Sequence, residues 1–254
     1  MNLTNKTILI TGGSAGIGLE AAKQFLQLDT KVIITGRNQE KLDEAKKRYP
    51  SLITLKSDVA KEEDALALYK QIEELGGIDI LYNNAGVGVM PSNLGIASDK
   101  HAQGAAYEMD INYTGVVRLN NLFMTMLNSR KEGAIINTTS VLSYVPSLLE
   151  ATYSASKAAL GFYTKSLREH LRIANSSVKV FELLPPAVET ELIAHRDIQK
   201  MSPEKLIKGL ILGLQKDQYT IRMGYTGTMY LLNRIFPKLA FALVNPRNAE
   251  KYLK

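Results

Sequence analysis

The chain has 254 residues, 45% hydrophobic and 22% charged, which is enough apolar material for one large core at the upper edge of a single domain. Its net charge of +6 is scattered and not gathered into a block, which argues against a nucleic-acid partner. The absence of cysteine excludes disulfides, thiolate nucleophiles and Cys-ligated centres, and three scattered histidines (His101, His170, His195) leave no metal cluster.

In chain order, short β-branched runs alternate with longer segments of three- and four-residue apolar spacing, the pattern of βα units on a parallel sheet. Strands are expected at Thr7 to Thr11, Lys31 to Thr35, Leu52 to Lys56, Ile78 to Tyr82, Ala134 to Thr138, Val178 to Leu183 and Thr220 to Met223. Helices are expected near 16–28, 39–48, 62–75, 103–127, 151–174 and 203–215. Runs such as TILIT and KVIIT are apolar throughout, as strands covered on both faces must be. The expected fold is therefore α/β, a doubly wound parallel sheet in a three-layer sandwich, as one unit over 1–254. Ligands of such sheets sit beyond the carboxyl ends of the strands. No segment has the form of a signal peptide or reaches the roughly 18 apolar residues of a spanning helix, so a cytoplasmic protein is expected.

The loop after the first strand reads Thr11-Gly12-Gly13-Ser14-Ala15-Gly16-Ile17-Gly18 and opens a helix. Glycines there allow a tight turn and a close backbone approach to a pyrophosphate, whose charge the free N–H groups of the helix N-terminus stabilise. The spacing T-G-x-x-x-G-x-G resembles that of the short-chain dehydrogenase/reductase family, which implies a Rossmann-type fold and a nicotinamide dinucleotide held by Gly12, Ser14, Gly16, Ile17 and Gly18. After the second strand, Thr35-Gly36-Arg37 offers a guanidinium where a free ribose would call for an acid, so NADP is preferred and NAD remains possible. The resemblance further implies that Asp58 and Val59 cradle the adenine, and that Asn84, Ala85 and Gly86 of Asn83-Asn84-Ala85-Gly86 let the cofactor pass over the fourth strand.

The helix near 151–174 starts with Tyr153-Ser154-Ala155-Ser156-Lys157, which puts Tyr153 and Lys157 one turn apart on one face. An adjacent ammonium favours the phenolate, making Tyr153 a general acid for reduction and a base for oxidation. Ser140, thirteen residues upstream, can hydrogen-bond a substrate carbonyl. Asn112 falls inside the expected 103–127 helix, and the resemblance gives it the role of holding a water that links the lysine to solvent. Asn112, Ser140, Tyr153 and Lys157 then match the family's catalytic tetrad. The expected function is hydride transfer between NADP(H) and a small-molecule carbonyl or alcohol, and the resemblance implies a homodimer or homotetramer built on the two long helices.

Two regions depart from the family pattern. Leu184-Pro185-Pro186-Ala187-Val188-Glu189-Thr190 has a second proline where the family has glycine, which stiffens the start of a substrate lid at 185–202. Backbone contacts of Val188 and the Thr190 hydroxyl toward the nicotinamide are expected to survive, and Leu192, Ile193, His195 and Arg196 frame the lid. The double proline and the TGGSAGIGLE opening are similar to a subgroup typified by the DltE-type oxidoreductases of Gram-positive bacteria. The extension 225–254 carries five basic residues, Arg234, Lys238, Arg247, Lys251 and Lys254, against Glu250 alone. Met229 to Val244 reads as a helix kinked at Pro237, either packed over the cleft or against a subunit, or lying on an anionic membrane. Two other functions stay open: a dinucleotide-binding sensor with weak turnover, and a membrane-surface binding protein that uses the extension.

Overall fold

A computed structural model describes residues 1–89, 93–193 and 198–245. Seven strands, β1 (Thr7–Thr11), β2 (Lys31–Gly36), β3 (Ile53–Lys56), β4 (Ile80–Asn83), β5 (Ala134–Thr138), β6 (Lys179–Leu184) and β7 (Thr220–Arg222), pair in parallel in the order β3-β2-β1-β4-β5-β6-β7. The order reverses direction between β1 and β4, and there the crevice of a doubly wound sheet opens.

Period-two geometry divides the core between the two faces. From β1, Ile8 and Ile10 join Phe25 of α1 (Gly16–Leu26), Leu42 of α2 (Gln39–Arg48) and, farther along the sheet, Phe181 and Leu210. Leu9 faces the other way, to a core with Leu68 of α3 (Glu62–Glu74), Leu81 and Phe123. Helices α4 (Asp99–Met109), α5 (Gly115–Asn128) and α6 (Ala151–Ile173) follow, and α7 (Pro203–Gln215) packs beside α1. Helix α6 turns Leu160 inward, and Leu167 and Leu171 pack against the second core.

The departures from the sequence pattern have local causes. Strand β4 starts at Ile80 and not Ile78, because Gly76 and Gly77 take positive φ and Asp79 serves as a cap, its carboxylate accepting the Thr7 N–H at 2.8 Å. Strands β3 and β6 start one residue late, at Ile53 and Lys179, and β7 stops at Arg222. The helix expected over 103–127 begins at Asp99 and is interrupted by a π-helical turn at Asp110–Thr114. Gly115 closes that turn against the Val59 carbonyl, where a Cβ would come within 2.7 Å. The expected kinked helix is two helices, α8 (Thr226–Ile235) and α9 (Pro237–Val244). Pro237 forces Phe236 out of helical geometry, to φ −130° and ψ 66°. His195, Arg196 and the extension beyond Asn245 lie outside the described residues.

Candidate active site

The loop between β1 and α1 is folded by contacts that only glycine permits. Gly12 has φ +64°, and a Cβ on it would lie 2.9 Å from Ala85 Cα. A Cβ on Gly18 would lie 2.2 Å from the Gly12 carbonyl oxygen. Thr11 and Asn84 tie this loop to the one after β4: Thr11 Oγ1 accepts the N–H groups of Asn84 and Ala85, and Asn84 Nδ2 donates to the carbonyls of Thr11 and Gly12. Helix α1 has no side-chain cap and no acid in its first turn, so its leading N–H groups and positive dipole end face the cleft uncompensated.

At the end of β2, Arg37 borders the cleft, and its guanidinium donates to the Tyr107 hydroxyl. That bond, helped by Asp58, holds the Arg37 pKa above its ordinary value. The hydroxyls of Thr35 and Ser57 line the same end and are buried with no hydrogen-bond partner among the described residues. Val59 is fixed through its carbonyl, which accepts from Arg118 at 2.8 Å. Two unmatched hydroxyls, a cation and a row of glycines fit the adenosine and pyrophosphate of a dinucleotide.

Across the sheet, beyond β5, Ser140, Tyr153 and Lys157 line the same cleft. Lys157 is buried, with Nζ 3.0 Å from the Thr138 carbonyl and 5.7 Å from the Tyr153 ring centroid. Burial pulls its pKa from 10.5 down to about 8, which leaves it an ammonium at neutral pH. Ser140 Oγ accepts the Leu142 N–H at 3.1 Å and donates to no acceptor among the described residues, so its proton is free for a ligand oxygen. The Ser143 hydroxyl accepts the Ser140 N–H and donates to the Lys157 carbonyl, locking the β5 loop to α6.

Asn112 stands in the π turn, not in a regular helix. Its amide is fully engaged, Oδ1 accepting from Val87 N and Nδ2 donating to the Val87 carbonyl and Ser156 Oγ. A Cβ on Gly86 would lie 3.3 Å from both Asn112 Oδ1 and Lys157 Nζ, so this glycine is what lets the two groups approach the β4 loop. The structure thus brings Tyr153 and Lys157 to one end of the cleft, with Asn112 buried behind them at the Gly86 turn.

The lid starts stiffly. Val188 pairs with Met201, and the Thr190 hydroxyl donates to the Val188 carbonyl while its methyl faces Gly16. Ile193 and Ile198 of the lid line the cleft together with Leu142, Met229, Leu243 and Val244 of the facing wall, and the cleft volume is about 1060 Å³. Asn245 clamps this wall in place: it accepts the Leu148 N–H at 2.6 Å and donates to the Pro146 carbonyl at 3.0 Å. Sequence reasoning missed Tyr107, Lys41, Thr35, Ser57 and Asn245. Lys41 borders the cleft and bridges to Glu191 of the lid at 2.7 Å. Thr35 stands in the Thr35-Gly36-Arg37 run without a role of its own there, and the other four sit in no motif.

Among the described residues there is no group of three potential metal ligands, and no helix is long and apolar enough to cross a membrane.

The sequence profile described as short chain dehydrogenase matches residues 6–200. The oxidoreductase DltE of Bacillus subtilis is 37% identical over 228 residues, covering 87% of this chain and 89% of that protein. The NADPH-dependent 1-acyldihydroxyacetone phosphate reductase of Schizosaccharomyces pombe is 35% identical over 190 residues, 74% of this chain and 61% of that protein. In fold, the chain is similar to a short-chain dehydrogenase of Burkholderia cenocepacia in complex with NADP, with a TM-score of 0.84 at 24% identity over 96% of this chain and 99% of that one. It is also similar to a Burkholderia phymatum relative in complex with NAD, with a TM-score of 0.83 at 21% identity over 94% and 96%.

Proposed function

Because the chain belongs to the short-chain dehydrogenase/reductase family, we propose that it transfers hydride between NADP(H) and a carbonyl or alcohol carbon on a substrate with an apolar tail. Members of this family are dehydrogenases and reductases that bind a nicotinamide dinucleotide. One observation carries the finer assignment: Ser140, Tyr153 and Lys157 converge at the β5 end of a cleft whose β2 end presents Arg37 with the Thr35 and Ser57 hydroxyls. The bound dinucleotide supplies or accepts the hydride. Its pyrophosphate is assigned to Gly12, Ser14, Gly16, Ile17 and Gly18. Its 2′-phosphate falls to Arg37, its adenine to Asp58 and Val59, and its passage over β4 to Asn84, Ala85 and Gly86. Val188 and Thr190 border the nicotinamide.

The chain's own residues handle the proton and the carbonyl. Ser140 donates its free O–H to the carbonyl oxygen and holds it as negative charge develops. Tyr153 delivers the proton to that oxygen in reduction and removes it in oxidation. The Lys157 ammonium stabilises the phenolate that remains and holds the nicotinamide ribose. Asn112 joins the β4 loop to Ser156 on α6 and so positions Lys157 at the proton path.

The apolar side chains of Leu142, Met229, Leu243 and Val244 in the cleft lining support the tail assignment. The S. pombe relative, named for reducing an acylated ketone with NADPH, agrees with both choices. In the same proposal 185–202 closes over the substrate, and 225–245 is the fixed wall it closes against. Assembly is expected as a homodimer or homotetramer through α4, α5 and α6, covering the exposed Phe162 and Ile173.

NADPH consumption with a series of aldehydes and ketones of increasing alkyl length tests this, with Tyr153→Phe as control. Each methylene buried by the wall should raise kcat/KM about fourfold until the wall is filled. A flat series would refute the apolar tail, and NADPH binding without turnover of any carbonyl would favour the sensor.

A further inference from the structure

The helix pair α8–α9 turns two apolar surfaces in different directions. Met229, Leu243 and Val244 border the cleft, while at the turn between the helices Arg234, Ile235, Phe236, Pro237, Lys238 and Leu239 are all exposed in succession. Ile235 is 66% exposed, Phe236 59%, Leu239 51% and Leu243 62%. So much contiguous apolar surface on a folded chain marks a contact surface.

Its charge identifies the partner. No acidic residue occurs from Gln218 to Ala249. Within the described part of that stretch, Arg222 lies over the Tyr230 ring at 4.2 Å, Arg234 donates to the Tyr230 hydroxyl at 3.0 Å, and Lys238 follows at the tip. Arg222 is half-buried against Tyr144 and near Glu182, whereas Arg234 and Lys238 are exposed and in no ion pair among the described residues, so the apolar tip carries two uncompensated cations. A second copy docked face to face would set these cations against each other with no acid between Gln218 and Asn245 to pair them, since a two-fold interface places the same patch on both sides. A layer of anionic headgroups over an apolar interior matches both the cations and the apolar tip.

We propose that the α8–α9 turn is a peripheral membrane anchor: Ile235, Phe236 and Leu239 enter the acyl boundary of an anionic phospholipid bilayer while Arg234 and Lys238 meet its headgroups. Because Leu243 is both exposed at this surface and part of the cleft wall, the docked protein opens its cleft toward the bilayer. Binding is reversible and salt-sensitive, as expected for one short apolar insertion helped by a few cations.

Co-sedimentation of the full-length protein with phosphatidylcholine vesicles, with and without phosphatidylglycerol, tests the anchor without relying on activity. Binding is expected only with phosphatidylglycerol and should weaken as salt is raised. It should fall at least tenfold in Phe236→Glu and again in the pair Arg234→Glu, Lys238→Glu. These positions are exposed, so NADPH affinity and melting temperature should match the wild type and confirm folding. Failure to bind phosphatidylglycerol vesicles at low salt would overturn the anchor, as would equal binding to both vesicle types. A loss of oligomeric mass in Phe236→Glu by light scattering would also overturn it, assigning the surface to a second copy.

Discussion

At the β1–β2 end of the cleft the chain is shaped by its backbone: Gly12 and Gly18 fit where a Cβ would meet main-chain atoms at 2.9 and 2.2 Å, and Asn84 and Thr11 bind main-chain groups of the facing loop. At the β6–β7 end, side chains do the shaping. Leu142, Met229 and Val244 supply an apolar wall, and one amide, Asn245, pins α9 to the loop before α6. A site made of main-chain contacts tolerates few residue types and serves one invariant ligand. A wall of interchangeable hydrophobic side chains can be retuned for different substrates while the chemistry beside it stays the same.

This contrast can be broken first at the chemistry the two ends share. Tyr153→Phe should lower carbonyl turnover by roughly 10²- to 10⁴-fold, with NADPH affinity retained, in steady-state kinetics paired with fluorescence titration. A small loss would place the proton donor elsewhere.

Lys157 gives the comparison a pH signature. Its folded pKa is about 8 against 10.5 for an ordinary lysine. Reduction needs the ammonium, so kcat/KM should fall about tenfold per pH unit above about 8. Stability should move the opposite way. Below the folded pKa, burying the ammonium costs stability; as pH rises from 8 the folded lysine loses its proton while the unfolded one keeps it, so stability grows by an order of 1–3 kcal/mol toward pH 10. Above about 10 the trend should reverse, because burial holds the Tyr82 phenol up while unfolded tyrosine ionises. Urea denaturation across this range, with Lys157→Met as reference, would show whether the rise belongs to Lys157.

Two smaller effects sharpen the contrast. Gly18→Ala forces a Cβ toward the Gly12 carbonyl, and overpacking of this kind costs about 1–3 kcal/mol. Its loss should be seen in NADPH affinity with little change in the chain-length dependence of kcat/KM. Asn245→Ala orphans the Leu148 N–H and the Pro146 carbonyl, at about 1 kcal/mol. It should flatten the chain-length dependence and leave NADPH affinity unchanged, the reverse of Gly18→Ala.

The same contrast explains what the sequence made legible. Main-chain geometry restricts residue choice, so the glycine loop, the Asn83 to Gly86 turn and the Tyr153–Lys157 pair could be read as patterns, and the six long strands were found within two residues. The π turn around Asn112 could not, because it arises from the close approach of Gly115 to Val59, a contact 56 residues apart in sequence. Tyr107 reaches Arg37 across a separation of 70 residues, and Asn245 reaches Leu148 across 97. Such contacts depend on tertiary packing and leave no local period or motif. The extension was legible in composition, apolar with scattered cations, but only the structure separates its cleft-facing Met229 from its exposed Phe236.

The central claim, an NADP(H) site read from Arg37, is tested most directly by fluorescence titration of NADPH and NADH on the wild type and on Arg37→Ala. Loss of charge-assisted hydrogen bonds to a phosphate should weaken NADPH by roughly 10- to 150-fold and leave NADH within about threefold. Equal weakening of both nucleotides, or tighter binding of NADH by the wild type, would contradict the assignment.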